Sequence, residues 1–178
     1  MTPPSRLPPR YLCELRLFAW RDIAWGVARG LLTYGDVVRL AMYRADERSS
    51  PAELALATLE PEYEWAIEPA LDAVVTEEAS PGDDSADRWL FAILLYDTET
   101  ATTAEGLLKL VEDTFCEFGH PAEMYDFVPY MPPQDGYDPT RHTLEQNRRR
   151  LVTLMHAYLT RTAAKFGVRA PVGPLHHS

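Results

Sequence analysis

The sequence has few cysteines from which disulfide bonds could form, and it has no glycine-rich loop of the kind that binds phosphate. It contains two cysteines, Cys13 and Cys116, in 178 residues. That number is too low for a cysteine-dense disulfide framework, so two reduced and buried thiols are expected. The nine glycines are scattered and form neither GxGxxG nor GxxxxGKS/T, the two common nucleotide-binding loops. No cofactor is therefore expected.

Long apolar segments are also missing. The longest strongly apolar run, Trp89 to Tyr96, is far shorter than the roughly 20 residues that a membrane-spanning helix needs. The first ten residues are rich in proline and contain no apolar stretch of the kind found in secretory signals. We therefore expect a cytoplasmic protein without a membrane partner.

Residues with the spacing of a metal or catalytic site are equally scarce. The histidines before the tail are far apart in sequence, whereas zinc sites need ligands at short spacing. The role of the His176-His177 tail stays open, and His156 is expected to be partly buried and hydrogen-bonded. Cys116 and His120 share i, i+4 spacing, but Gly119 is expected to end the helix between them. No metal site and no catalytic residue are predicted.

Basic residues are nearly absent from the middle of the chain. The total net charge is −10, but residues 51–140 hold 21 Asp and Glu against Arg88 and Lys109, a net −19. Residues 1–50 carry +3 and residues 141–178 carry +6. Either the basic ends fold back onto the acidic middle, or that middle faces a cationic partner. Nucleic-acid binding by the middle is disfavoured, because phosphate contacts need clustered Arg and Lys.

Apolar periodicity and capping signals predict an all-α fold. Apolar residues recur at three- and four-residue spacing in several segments, as on the buried face of a helix. Thr33, Ser50 and Thr143 each precede an acidic or amide residue by three positions, which is typical of a helix N-terminus. Ser85 is expected to cap a central buried helix, and Pro69 to interrupt or kink a helix over 60–78.

The predicted architecture is a compact multi-helix bundle with short loops. Residues 11–18 are compatible with one short N-terminal strand or with a first helical turn. We expect a flexible proline-rich leader over 1–9, one helical domain over 10–167 with a subdomain boundary near 80–85, and a flexible tail over 168–178.

The segment 125–138 is too apolar for an ordinary solvated loop. It interleaves four aromatic residues with three aspartates and three prolines. Either it packs back over the bundle, or it displays tyrosines as rigid anchors for a partner, and the two are compatible.

Three segments resemble a family of small bacterial proteins described only as a domain of unknown function. They are Trp20-Arg-Asp-Ile-Ala-Trp-Gly26, Arg88-Trp-Leu-Phe91 and Val128-Pro-Tyr-Met-Pro-Pro-Gln-Asp-Gly-Tyr-Asp138, and the resemblance spans about residues 15–160. Families of this type are similar to immunity proteins that accompany secreted bacterial toxins. The resemblance implies no catalytic residues.

We therefore expect a non-enzymatic protein-binding protein that neutralises a cognate, basic bacterial toxin through an acidic surface. The alternatives are a small hydrolase with an unrecognised carboxylate or Cys/His site, and a structural or regulatory subunit. The oligomeric state is left open. The candidate partner-binding residues combine the acidic middle with the aromatic loop: Glu60, Glu62, Glu64, Asp83, Asp84, Tyr125, Asp126, Tyr130, Asp135, Tyr137 and Asp138.

Overall fold

The computed structural model describes residues 6–78 and 83–171, and within them the regular structure is helical throughout. The all-α prediction is therefore confirmed, and no strand occurs in the described part of the chain. The α-helices are α1 (Pro9–Leu15), α2 (Trp20–Ala28), α3 (Tyr34–Arg44), α4 (Pro51–Ala57), α5 (Glu64–Glu77), α6 (Ser85–Thr100), α7 (Ala104–Glu117) and α8 (Leu144–Phe166). Two 3-10 helices, Ala122–Met124 and Pro139–Arg141, lie between α7 and α8.

The ambiguous segment near the N-terminus is helical. Pro9 occupies the first helical position of α1, where its missing N–H costs no hydrogen bond. Tyr11, Leu12 and Leu15 are buried, and this spacing fits one helix face rather than the alternation of a strand. Arg16 then ends the helix in the left-handed region, with φ 51°.

The predicted N-caps are confirmed at three helices and wrong at a fourth. Thr33, Ser50 and Thr143 each accept a hydrogen bond from the backbone N–H three residues later, within a complete capping box. Ser85 instead lies inside α6, and its buried hydroxyl donates to Asp22 Oδ1 at 2.6 Å. A contact 63 residues away in sequence therefore replaces the local one.

Pro69 does not interrupt α5. The helix begins at Glu64 and continues through the proline to Glu77. Proline has no N–H, so the carbonyl of Trp65 lacks its usual helical donor. Ile67, Leu71 and Val74 are buried along one side of the same helix. Burial of that apolar stripe offsets the lost bond.

The chain divides into two compact units, residues 1–89 and 90–178. In the first unit, α3 packs against α1, α4 and α5, and α2 packs against α5. The division falls shortly after the boundary predicted near 80–85, of which residues 79–82 lie outside the described part. Leu7, within the predicted leader, is fully buried; residues 1–5 and 172–178 are outside the described part.

The second unit is built around the apolar part of α6. Residues 90–95 are all buried, as expected for a helix that is apolar on every side. α7 packs on α8, and Phe91 meets Phe166 edge-on with ring centroids 6.0 Å apart. Among the described helices, none is both long enough and apolar enough to span a membrane.

His156 on α8 is buried without the expected hydrogen bond at one ring nitrogen. It is 9% exposed, and its Nε2 atom has no partner among the described residues. Burial lowers the pKa of His156 below the ordinary value of 6.5. The folded state therefore holds a neutral imidazole over a pH range in which the unfolded chain is protonated.

This burial predicts a loss of stability in mild acid. The stability is fully present above about pH 6.5 and falls as the pH drops, because the unfolded chain then binds more protons. Between pH 7.5 and 5.5 the free energy of unfolding of the native protein should fall by up to about 1 kcal/mol more than that of the His156→Leu variant. Urea unfolding at both pH values measures the difference. The exposed His142→Leu variant should behave like the native chain. Equal losses in the native protein and His156→Leu would contradict the prediction.

Candidate partner-binding surface

The outer side of α5 carries acidic residues and no basic ones. Residues 49–87 contain no Lys, Arg or His. Ile67, Leu71 and Val74 are buried along one side of α5, so the opposite side of the helix is exposed to solvent. We name this exposed surface, together with the turn that precedes it, the α5 face; its members are Glu60, Glu62, Tyr63, Glu64, Trp65, Glu68 and Asp72.

The carboxylates of the α5 face are not neutralised within the described part of the chain. Glu60, Glu62, Glu64 and Glu68 are exposed, and their side chains make no ion pair or hydrogen bond with the described residues. Glu64, Glu68 and Asp72 follow one another at i, i+4 spacing, where like charges destabilise a helix by a few tenths of a kcal/mol per pair.

The pKa of a neighbouring phenol reports the same accumulation of negative charge. Burial, followed by the charges of Glu68, Asp72 and Glu64, raises the pKa of Tyr34 at the start of α3. A raised phenol pKa is the expected response to nearby carboxylates, since they disfavour the phenolate. The negative charges of these three carboxylates therefore all contribute to raising the pKa of Tyr34.

Two aromatic rings stand among these carboxylates. Trp65 is 78% exposed and Tyr63 is 48% exposed. Their ring centroids are 6.2 Å apart, with 40° between the ring planes. The backbone beneath them is held, because the carbonyl of Tyr63 accepts hydrogen bonds from the N–H groups of Ala66 and Ile67 at 2.9 and 3.2 Å. A large indole in water is unusual, and such residues are enriched at binding hot spots.

Asp83 and Asp84, the other acidic candidates of the first unit, lie before α6. Asp83 is exposed, and Asp84 approaches Arg88 at 4.0 Å. The α5 face thus brings together Glu60, Glu62 and Glu64, whereas Asp84 already has a cationic neighbour.

The aromatic loop, residues 125–138, belongs to the second unit. Some of its side chains are buried and others are exposed to solvent. Phe127 and Val128 are buried, whereas Tyr125 and Tyr130 are 37% and 55% exposed. The rings of both tyrosines lie edge-on to Phe115, with centroids 5.9 and 6.0 Å away.

The far end of the loop is attached to α8 through Arg150. Its guanidinium pairs with Asp135 at 2.6 Å and lies over the ring of Tyr137 at 4.2 Å. The hydrogen bond from Arg150 lowers the pKa of the Asp135 carboxyl. Tyr137 donates its hydroxyl to Asn147 Oδ1 at 2.7 Å, and Asp138 caps the next 3-10 helix through the N–H of Thr140. Asp126 is exposed.

A groove of about 480 Å³ runs between the loop, α7 and α8. Its volume is in the range of small-molecule sites, but its charged residues are already paired. Glu105 binds Arg148 at 2.8 Å, and Glu112 lies 3.8 Å from Lys109. Both carboxylates that line the groove thus have a cationic neighbour. The remaining lining is mainly apolar: Leu108, Pro129, Met131, Pro133, Pro139, Leu144 and Leu151.

A family model described as an uncharacterized protein conserved in bacteria (DUF2247) matches residues 13–163. The chain belongs to the DUF2247 family. No curated protein and no solved structure matches it. The family description names neither an activity nor a partner. The resemblance to an uncharacterised bacterial family is thus confirmed, whereas its extension to immunity proteins stays a prediction.

In this DUF2247 chain, two of the three resembling segments meet in the core of the first unit. Asp22 is 1% exposed and accepts hydrogen bonds from Arg88 Nη1 at 3.0 Å and from Ser85 Oγ at 2.6 Å. Trp89 donates its indole N–H to the carbonyl of Asp22 at 2.7 Å and packs against Gly26. These residues hold α2 to the start of α6, and all of them except Arg88 are buried.

The Cys/His pair of the DUF2247 chain does not form a nucleophile–base arrangement. Cys116 is exposed, so the expected burial of this thiol is wrong, and Cys13 is half-buried. The sulfur of Cys116 contacts the Tyr130 hydroxyl at 3.8 Å. The left-handed Gly119, at φ 73°, ends the helical path as predicted, and the ring of His120 packs edge-on against Phe115. No group of three potential metal ligands occurs in the described residues.

Trp65 and Tyr63 were not among the residues selected from the sequence of this DUF2247 protein. The signal was nonetheless present. Trp65 lies outside the stripe of Ile67, Leu71 and Val74, so helical periodicity places it on the polar side of α5. A tryptophan at such a position is a candidate binding residue.

Proposed function

We propose that this DUF2247 chain is a non-enzymatic protein that binds a positively charged protein partner through the α5 face. The observation that supports this is an exposed helix surface with four unpaired glutamates and no cation within residues 49–87. A lysine at position 68, between Glu64 and Asp72, would stabilise the helix by a few tenths of a kcal/mol per pair. Retaining like charges there is understandable if another molecule supplies the counter-charge.

Such a surface speeds association more than it strengthens the final complex. Clustered negative charge attracts a basic partner over a distance of about 10 Å at 0.1 M salt and raises the association rate. The partner in the immunity version of the proposal is a cognate bacterial toxin whose basic domain acts on nucleic acid. Support for that version comes from the resemblance and from charge complementarity. It places the protein in the cytoplasm, where the toxin would otherwise reach its target.

The test uses the product of the gene adjacent to the one that encodes this chain. The two proteins should copurify, and their dissociation constant should rise about tenfold or more between 50 and 300 mM NaCl. Glu68→Lys should weaken binding by about tenfold, because it reverses a charge at the centre of the face. The same change should raise the free energy of unfolding by roughly 0.5 kcal/mol through i, i+4 pairing, so weaker binding cannot be attributed to misfolding.

The matched control is Glu117→Lys at the end of α7, which alters net charge equally and lies in the second unit. It should leave the dissociation constant within about twofold of the native value. A complex that forms with the same affinity at both salt concentrations, and in Glu68→Lys, would remove the electrostatic proposal. A neighbouring product that does not bind at all argues for the structural or regulatory alternative.

A further inference from the structure

The tryptophans of this chain differ in what covers their rings. The guanidinium of Arg44 lies 4.9 Å from the ring of Trp20, and that of Arg29 lies 4.8 Å from the ring of Trp25. Trp89 is fully buried. The positive guanidinium group is attracted to the negative face of an indole. In the first unit, therefore, two tryptophan rings each lie against the guanidinium group of an arginine.

Trp65 is the exception among the four. Its ring is 78% exposed and contacts Tyr63, and no cation of the described residues lies over it. Local sequence offers none, since Arg48 and Arg88 are the nearest basic residues on either side. Glu68 lies three residues after Trp65 in α5, where side chains are neighbours on the helix surface, and its charge increases the attraction for a cation. The ring of Trp65 is therefore uncovered by any cation of the described residues and belongs to an acidic surface.

We propose that Trp65, with Tyr63 beside it, receives an arginine side chain of the protein partner, so that the α5 face selects arginine over lysine. This inference rests on the proposed function and specifies its partner. Guanidinium stacks flat on an indole and remains free to hydrogen-bond carboxylates at its edge, whereas the compact, strongly hydrated ammonium group of lysine does this poorly. Glu68, one helical turn from Trp65, supplies such a carboxylate.

The probes are two fluorescently labelled peptides, nona-arginine and nona-lysine, which have equal length and charge. Their binding to the full chain is measured by fluorescence anisotropy at 50 mM NaCl. Nona-arginine should bind about tenfold more tightly than nona-lysine, as expected for a guanidinium–indole contact among carboxylates. Trp65→Ala should abolish this preference while leaving nona-lysine binding nearly unchanged. Tyr43→Ala is the control, because Tyr43 is also an exposed aromatic of the first unit, at 56%.

Two results would overturn the arginine inference: equal affinity of the native chain for both peptides, or a preference that survives Trp65→Ala. If both peptides still bind and both are weakened by Glu68→Lys, the acidic capture surface stands and the role of Trp65 fails alone. If neither peptide binds, or if Glu68→Lys leaves both affinities unchanged, the proposed function fails together with the inference. Loss of the preference in Tyr43→Ala as well would also count against a specific site at Trp65.

Discussion

Replacing Asp22 by alanine should lower the free energy of unfolding by about 3–5 kcal/mol, the cost of breaking a buried ion pair from one side. Both carboxylate oxygens are used: Oδ1 accepts from Ser85 and Arg88, and Oδ2 accepts from the N–H of Ala19 at 2.8 Å. The variant leaves the buried Ser85 hydroxyl without this acceptor and removes the buried carboxylate that pairs with Arg88. Such a loss is a large part of the 5–15 kcal/mol that a domain typically has. Urea unfolding followed by circular dichroism measures it.

The neighbouring carboxylate provides the control for this prediction. Asp84 approaches the same Arg88 at 4.0 Å but its side chain is 48% exposed. Asp84→Ala should therefore change stability by less than about 1 kcal/mol, as for other solvent-exposed pairs. Asp22→Asn keeps the volume but replaces an acceptor by a donor, so an intermediate loss is expected. Comparable stabilities for the Asp22 and Asp84 variants would show that the buried network does not hold α2 to α6.

Replacing Gly26 by alanine should destabilise the protein by roughly 2–3 kcal/mol, although alanine is the better helix former by about 1 kcal/mol. A methyl group at this position would lie 2.3 Å from Cζ2 of Trp89 and 2.6 Å from its Cε2. The indole has little room to move away, because it is fully buried and its N–H donates to the carbonyl of Asp22. Either α2 or the ring must shift, and a close-packed core resists both.

Gly35 in α3 is the matched control, because a methyl group there would meet its nearest neighbour, Pro61, at an ordinary 3.4 Å. Gly35→Ala should leave stability unchanged or raise it by up to about 1 kcal/mol. The double variant Gly26→Ala with Trp89→Phe tests the cause, since the smaller ring makes space for the methyl group. Its loss should be smaller than the sum of the two single losses by about 1 kcal/mol or more. Strict additivity would place the strain elsewhere.

Much of the helical structure could be predicted because its signals are local. Thr33, Ser50 and Thr143 cap helices through bonds to residues three positions away, so the pattern is visible in the sequence. Gly167 ends α8 in the left-handed region, with φ 66°, for the same local reason. The expected interruption at Pro69 does not occur, because burial of Ile67 and Leu71 outweighs one missing hydrogen bond.

The candidate surface was only partly predictable. The negative charge of the middle segment is a property of composition, and it led to the selection of Glu60, Glu62 and Glu64, which are exposed. Tyr137 and Asp135 were selected from the aromatic loop, but their attachment to Arg150 arises from a contact with α8. Cys116 follows the buried Phe115 in sequence, yet it faces solvent.

The sequence alone determined that this chain is helical, where α3, α4 and α8 begin, and that its middle is acidic. Those properties depend on backbone geometry, on side chains within one helical turn, and on composition. Tertiary structure decided which contacts the residues selected from the sequence make. Asp22 and Arg88 are 66 residues apart. Their ion pair joins two of the segments that carry the family resemblance. Trp65, the centre of the proposed binding surface, keeps an exposed ring, whereas the ring of Trp20 is covered by Arg44 from another helix. The Asp22–Arg88 and Trp20–Arg44 contacts depend on which distant side chains share a surface, and local sequence does not encode that.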